Sequence, residues 1–531
     1  MKSSKKQDKS FGLRTVTSTG LSSRGAAERF ELLQTKLIPL WKSIREMNEQ
    51  EQTIVVVPSL TIIGEGLGSI EQAYEERFLF LLLLLRQPNA QLIYITSKPI
   101  LEPVIDYYLA LLPQKVKGNA RQRLHLISAG DGTNRPLSEK LLERPRLLKR
   151  IRNLIADPNR AHLVPFNTTI LERDLSLRLG IPMYAADPKF LPLGLKSGCR
   201  RLFAEEGVAH PYGFGDLKTI GEVVEAICKI RADKPHVRKV IIKLNEGVSG
   251  EGNAILDLEG LPEPGNFQEL DAVASKLRKM QMQSSEAKFK SYMENLSLRG
   301  GIVEEMILGS EVRSPSVQMR VTPLGELQTL STHDQLLGGR SGQNYVGAKF
   351  PADAAYAAAI SREAEKIGKR LASEGVIGRF AIDFLVVRSS DQQWDPYAIE
   401  LNLRKGGTTH PFLTLEFLTD GKYDSETATF KTPAGVRKFF VATDHVKSPV
   451  YKALTVEDVF DLADREKINF DASLQTGVVF HMVSAISEHG RLGFTAIANS
   501  HEEAHELYSK TIALLDHEAE AANADPGLPE F

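Results

Sequence analysis

Acid, amide and guanidine side chains recur with a two-residue rhythm between positions 379 and 404. Phe380 to Val387 is a run of β-branched and aromatic residues around Asp383, and Tyr397, Ile399 and Leu401 alternate with Ala398, Glu400 and Asn402. Both stretches read as strands, and the polar segment from Arg388 to Trp394 reads as the turn between them. Strand side chains repeat every two residues, so Glu400 and Asn402 share a face, with Arg404 just beyond in the same parity. A hairpin symmetric about Asp391 and Gln392 sets Asp383 opposite Glu400. Directly opposed Cβ atoms lie roughly 4.5–5.5 Å apart, where two bare carboxylates repel. A divalent cation relieves that repulsion. Two carboxylates and an amide oxygen form a hard-oxygen set suited to Mg²⁺, which keeps further positions for water and phosphate oxygens. The alternative is an edge hairpin with a solvated polar face.

A second group of residues could handle anions. Val240 to Leu244 reads as a strand carrying Lys243; it runs into a glycine-rich turn with Gly247, Ser249, Gly250 and Gly252, and a strand resumes at Ala254. Bare backbone amides in such a turn can approach an anion closely. The segment lacks the lysine and helix start of a Walker loop, and a mobile surface turn is the alternative. Gly301 to Glu305 reads as a strand leading into a turn at Gly309. Ser316–Val321 and Leu327–Leu330 suggest a hairpin. Ser331 to Gln343 is polar and glycine-rich, which reads as a surface loop of the kind that carries binding groups. His333 and His410 have no second His or Cys at ligand spacing, so neither is read as a metal ligand. Gly64, Gly66 and Gly68 follow an early strand, but their spacing departs from a dinucleotide fingerprint, and a tight turn is the simpler reading.

The chain of 531 residues has room for three or four domains. Its net charge of −1 gives no reason to expect nucleic acid or an anionic membrane as partner. The two cysteines, Cys199 and Cys228, build neither a disulfide framework nor a metal cluster, which points to a reducing, cytoplasmic setting. The first residues lack a signal-type apolar core, and the longest apolar run, Phe78 to Leu85, falls far short of the ~20 residues of a membrane span. It is read as a buried helix. Residues 1–28 read as a mobile polar tail. Residues 29–186 alternate helices with short strands at Thr53–Val57, Gln91–Ile95, Leu124–Ile127 and His162–Phe166, the pattern of a parallel sheet covered on both faces. A new domain starts near Asp187, with a helix from Lys196 stopped at Gly207. Residues 267–299 form an insert whose helix repeats Leu270, Val273, Leu277 and Met280. Thr476–Ala485 can pair with Gly490–Ala498, and Glu502–Glu518 reads as a helix. His481 in the first of those strands is read as structural.

In this order the motifs resemble the ATP-grasp superfamily over roughly residues 187–425, on Lys243 before the glycine loop, Val303-Glu304-Glu305 with Gly309 and Glu311, Asp383, and Glu400-Leu-Asn402-Leu-Arg404. The whole chain resembles the pheganomycin-type peptide ligases within it, through Ser331 to Gln335, Phe350-Pro-Ala and Lys405 to His410. The resemblance implies an α/β fold: a Rossmann-like pre-ATP-grasp domain, an ATP-grasp domain at 187–425 with a lid at about 215–310, and a small α+β domain at 426–531. It implies that Lys196 and Lys243 bind ATP phosphates and that Gly247, Ser249, Gly250 and Gly252 close over them. Glu304, Glu305, Met306 and Ile307 form the adenine hinge, and Glu311 takes the ribose. Asp383, Glu400 and Asn402 hold one or two Mg²⁺ ions, which Mn²⁺ can replace, and Arg404 faces the transferred phosphoryl group as a catalytic residue with Lys243. Arg313, His333, Asp334, Arg340, Lys405 and His410 are candidates for the acid substrate's carboxylate, with surface or structural roles as the alternative.

The implied activity is an ATP-dependent carboxylate–amine ligase joining small-molecule or peptide substrates through an acyl phosphate, with release of ADP and phosphate. A nucleotide-binding interaction module, or a carboxylate–thiol ligase or carboxylase using the same ATP site, are the alternatives. Homo-oligomerisation stays open.

Overall fold

A computed structural model describes residues 19–45, 51–61, 70–247, 252–283, 288–338, 344–388 and 393–524. The first sheet is parallel, in the order β3-β2-β1-β4, built from β1 (Gln52–Val57), β2 (Ala90–Thr96), β3 (Leu124–Ser128) and β4 (Ala161–Pro165). Its strands are nearly continuous apolar runs because both faces are covered. Val55, Val57, Ile93, Ile95 and Leu163 pack with helical Leu141, Ile151 and Leu175 on one side. Ile54, Val56, Leu92 and Tyr94 pack on the other with the run Arg77–Arg86, a buried 3₁₀ helix. The glycines Gly64, Gly66 and Gly68 lie outside the described residues. Helix Ser23–Gln34, capped by Ser22, begins inside the stretch read as a mobile tail, because Ala26 and Phe30 bury an apolar face.

A second sheet is antiparallel, in the order β5-β9-β6-β7-β8. Its strands are β5 (Gly213–Leu217), β6 (Lys239–Leu244), β7 (Asn253–Asp257), β8 (Gln281–Met282) and β9 (Gly301–Glu305). Helix Ile220–Asp233, opened by a Thr219–Glu222 capping box, and helices Glu269–Leu277 and Phe289–Arg299 cover it. Val273, Leu277 and Met280 enter the core as their spacing predicts, but Leu270 is exposed.

The third sheet carries the acidic hairpin. It comprises β10 (Val312–Arg313), β11 (Pro315–Val321), β12 (Leu327–Gly338), β13 (Asn344–Phe350), β14 (Gly378–Arg388) and β15 (Trp394–Asn402). A small hairpin of β16 (Lys422–Asp424) and β17 (Thr429–Lys431) follows, and then β18 (Phe439–Lys447), β19 (Gly477–His481) and β20 (Arg491–Ala498) rejoin the large sheet. The order is β10-β14-β11-β12-β13-β18-β20-β19, with β15 on β14. One expectation changes here. Ser331 to Gly338 is not a surface loop: it continues β12, and Ser331, Thr332 and His333 are wholly buried, since polar side chains are tolerated inside a sheet where partners satisfy them. After residue 431, β18, β20 and β19 extend the large sheet through β13–β18 pairing, while β17 pairs with β16. Helix His501–Ala524 packs on β18 and β20.

Candidate active site

The hairpin β14–β15 sets Asp383 opposite Glu400. The far end of the hairpin pairs Arg388 with Trp394, a register that if unbroken would face Asp383 with Ile399. A bulge between Asp383 and Phe384 restores the carboxylate pair; bulges commonly re-aim side chains beside active sites. Both acids are half-buried. Gln335 Nε2 donates to Asp383 Oδ1 at 2.8 Å, and Asn402 Nδ2 donates to Oδ2 at 2.9 Å. Burial and the facing Glu400 push the Asp383 carboxyl up to about 7. Burial acts on Glu400 in the same direction, but Lys196, at 3.0 Å from its Oε1, and Arg404 outweigh it and hold Glu400 below its ordinary value.

The cations come from three elements. Lys196 opens the helix Lys196–Glu205, and its backbone N–H donates to Asn245 O at 3.3 Å. Asn245 Oδ1 in turn accepts from the Ser197 N–H at 3.0 Å and hydroxyl at 2.7 Å, so the residue just past β6 pins the start of that helix. Lys243 stands on β6, buried, with its ammonium on Glu304 Oε1. Arg200 donates to the other oxygen of Glu304 at 3.0 Å. Arg404 lies over the Phe166 ring at 5.8 Å, and Lys405 donates its Nζ to Pro165 O at 2.5 Å. Thus the carboxyl end of the parallel sheet, where open α/β sheets place their ligands, abuts the acidic hairpin. Lys196, Lys243, Arg200 and Arg404 face Asp383, Glu400 and Glu304: four cations against three acids, before any metal is counted.

Several expected assignments change. Glu304 does not present its carboxylate to a base, because Lys243 and Arg200 occupy both oxygens. Glu305 accepts from Tyr212 N–H at 2.8 Å and Lys234 at 2.6 Å, and Met306 N–H donates to Lys239 O at 2.9 Å. Ile307, half-buried, makes no such backbone bond among the described residues. Glu311 is held by Arg313 and Arg388, and Arg313 also bridges to Asp353 at 2.7 Å and lies over Trp394, so Arg313 braces an edge strand. His333 packs against Phe350 and Phe440 with Nε2 2.8 Å from Ser331 Oγ, and burial pushes it down to about 3: it is a core residue. Asp334 accepts from Tyr356 OH at 2.6 Å and Asp353 N–H at 3.0 Å, bracing the start of helix Ala354–Ser373. Lys405 is spent on Pro165, and His410 is buried against Asp444 and His481. Gly247 is half-buried at the loop entrance, and Gly252, at φ +89°, closes the loop through its carbonyl to Leu244 N–H and Tyr292 OH. Ser249, Gly250 and Arg340 lie outside the described residues. Arg200, Gln335 and Asn245 were missed: an arginine within a charged helix and two amides carry no spacing signal of their own.

A family profile described as IQCH-like, ATP-grasp matches residues 193–285 and 266–426, the span that holds Lys196, Lys243, Asp383 and Glu400. Residues 193–426 thus match an ATP-grasp domain. A second profile, PGM1 C-terminal domain, matches residues 458–511. An L-propargylglycine–L-glutamate ligase of Streptantibioticus cattleyicolor is 27% identical over 436 residues, 81% of this chain and 86% of that protein. The IQ motif-containing protein H of Danio rerio is 22% identical over 551 residues, 93% of this chain but 51% of its own length. Among solved structures, biotin carboxylase from Campylobacter jejuni in complex with β-γ-ATP aligns over 90% of this chain and 96% of its own, with TM-score 0.51 and 13% identity. The biotin carboxylase domain of Hydrogenobacter thermophilus 2-oxoglutarate carboxylase, with MgADP, ADP and bicarbonate, aligns over 87% and 89%, with TM-score 0.52 and 13% identity. These two likenesses concern the fold. Among the described residues, no helix is long and apolar enough to cross a membrane.

Proposed function

We propose that this ATP-grasp protein is an ATP-dependent carboxylate–amine ligase that joins amino acids or short peptides through an acyl phosphate, releasing ADP and phosphate. The observation that carries the reading is the opposed pair Asp383–Glu400, flanked by Lys196 and Arg404 and facing the carboxyl end of the parallel sheet. The ligase relative, at 27% identity over most of both chains, supports the reaction class and amino-acid substrates.

A carboxylate is a poor acyl donor because its leaving group would be oxide. Phosphorylation makes it a good one, and the protein's task is positioning and charge neutralisation. The donor set fits Mg²⁺: two facing carboxylates with an amide beside them, one carboxyl pushed up by burial and by the other. Asp383, Glu400 and Asn402 would hold it. When bound, the ion neutralises charge on the phosphate oxygens. Lys243 and Lys196 draw phosphates in by exchanging part of their pairing with Glu304 and Glu400. Arg404 adds charge-assisted hydrogen bonds to the group in transit. The adenine meets the hinge backbone around Ile307 in place of the Glu304 side chain.

The test labels the acid substrate with ¹⁸O. Attack of the carboxylate on phosphorus carries one labelled oxygen into the released phosphate when the amine expels it. ADP with labelled phosphate is the expected result. AMP and pyrophosphate would mean adenylation and overturn the mechanism, and unlabelled phosphate would mean hydrolysis of ATP.

A further inference from the structure

Behind the proposed site, three residues far apart in sequence meet. His410 opens the helix Thr409–Thr419, Asp444 stands on β18, and His481 ends β19. β20 runs between β18 and β19, and His481 pairs there with Gly493. A Cβ at 493 would collide with the His481 ring and with Thr443 O, so the glycine leaves the imidazole room to reach across to Asp444. All three side chains are buried. His481 Nε2 lies 2.9 Å from Asp444 Oδ1, His410 Nε2 lies 3.3 Å from the same oxygen, and the two Nε2 atoms are 3.1 Å apart.

These three contacts cannot all be hydrogen bonds. Each Nε2 has one in-plane site, holding either a proton or a lone pair. If both carry protons toward Asp444, the histidines meet donor to donor. If one does not, its lone pair faces either the carboxylate or a bond it can accept only at the carboxylate's expense. A cation at the centre accepts all three lone pairs at once. Zn²⁺ binds imidazole nitrogen at about 2.0–2.1 Å and carboxylate oxygen at about 2.0–2.2 Å, which in a tetrahedron separates ligand atoms by about 3.3 Å. The observed triangle is already close to that size. Arg77 donates to the second oxygen, Oδ2, and Arg491 Nε donates to the Asp444 carbonyl at 2.7 Å, so the carboxylate is oriented from behind with Oδ1 directed at the histidines.

We infer that His410, His481 and Asp444 form a second metal site, distinct from the Mg²⁺ set on β14–β15, that takes one zinc-class divalent ion through two imidazoles and one carboxylate oxygen, with water or hydroxide at the fourth position. Nitrogen ligands select Zn²⁺, Co²⁺ or Ni²⁺ over Mg²⁺. His410 Nδ1 is buried with no hydrogen-bond partner among the described residues, and a ligand histidine without such support binds metal about 10–100-fold more weakly. The experiment therefore reconstitutes the site instead of assaying purified protein for retained metal.

The full-length chain is stripped with chelator, held in excess Mg²⁺ and titrated with Co²⁺ and Zn²⁺, and the zinc form is examined by X-ray absorption. The expected result is one equivalent of Co²⁺, displaced by Zn²⁺, with a zinc shell showing two imidazole scattering paths. Glu400→Gln should keep this equivalent. His481→Gln and Asp444→Asn should each lose it, with folding checked by circular dichroism. If a variant fails to fold, the wild-type absorption spectrum decides alone. No stoichiometric binding in excess Mg²⁺, a shell of oxygens without imidazole, or undiminished binding in a folded His481→Gln protein would overturn the assignment.

Discussion

Asp383 and Asp444 stand on strands of one sheet, both withdrawn from water, and their carboxyls move in opposite directions. Burial pushes each upward. At Asp383 the facing Glu400 carboxylate adds to the rise. At Asp444 the Arg77 guanidinium, with His410 and His481, reverses it and holds the carboxyl well below its ordinary value. Burial is common to both, so the sign of the neighbouring charge decides whether a buried acid is stable or poised. Asp444 is balanced within the fold by Arg77. Asp383 is only partly offset by Arg404 and Lys196.

The largest effect should come from unbalancing Asp444. Arg77→Met leaves a buried carboxylate without its guanidinium and should cost about 3–5 kcal/mol of stability. The double variant Arg77→Met with Asp444→Asn should recover most of that in urea denaturation. Equal losses in the single and double variants would mean that packing, not charge, matters there. Glu400→Gln should leave stability nearly intact and cut turnover roughly 10²–10³-fold, because the loss falls on charge developing at the phosphates. A variant with near wild-type ATP-dependent ligation would remove Glu400 from the metal set. Lys243→Ala should weaken a non-hydrolysable ATP analogue by about 1.5–3 kcal/mol in calorimetry, with Arg200 keeping Glu304 paired. Unchanged affinity would reduce Lys243 to a counter-ion for Glu304.

The smallest effect is a slope. The folded carboxyl of Asp383, pushed up to about 7, lies above its ordinary value of 3.8. Between those values the native state binds more protons than the unfolded chain, so metal-free stability should fall as pH rises from about 4 to about 7. Asp383→Asn should flatten that part of the profile, and so should saturating Mg²⁺ with nucleotide. Thermal midpoints across the range would check it, and an unchanged slope in the variant would place its origin elsewhere.

What could be read from the chain follows the same division. Asp383, Glu400 and Asn402 were legible because strand parity is local and the facing partner is one hairpin away. The symmetric-loop argument reached the right pair, although the true register reaches it through a bulge that parity does not reveal. His410 was set aside as a ligand for lack of spacing and His481 was read as structural, since spacing says nothing about residues that become neighbours through β18, β19 and β20. Ser331 to His333 were mistaken for a loop because their composition is polar, whereas burial there depends on Tyr423, Phe350 and Phe440 arriving from later in the chain. Glu304 and Glu305 were singled out by motif, but the lysines and arginine that occupy their oxygens are set by tertiary packing.

The return of β18–β20 into the large sheet has a consequence for the order in which the molecule can be completed. Arg77 waits for an acid 367 residues downstream, and Glu76 for backbone and hydroxyl groups at Val483 and Ser484. On the ribosome, β13 is finished at Phe350 while its neighbour β18 begins at Phe439. At about 5–20 residues per second, the interval between them lasts roughly 5–20 s. During that time β13 presents an open hydrogen-bonding edge and the buried run around Arg77 has no counter-charge, a state prone to pairing with other nascent chains. The nascent chain is thus exposed to aggregation just after the acidic hairpin has been made, and a pause or truncation before Phe439 would strand it there.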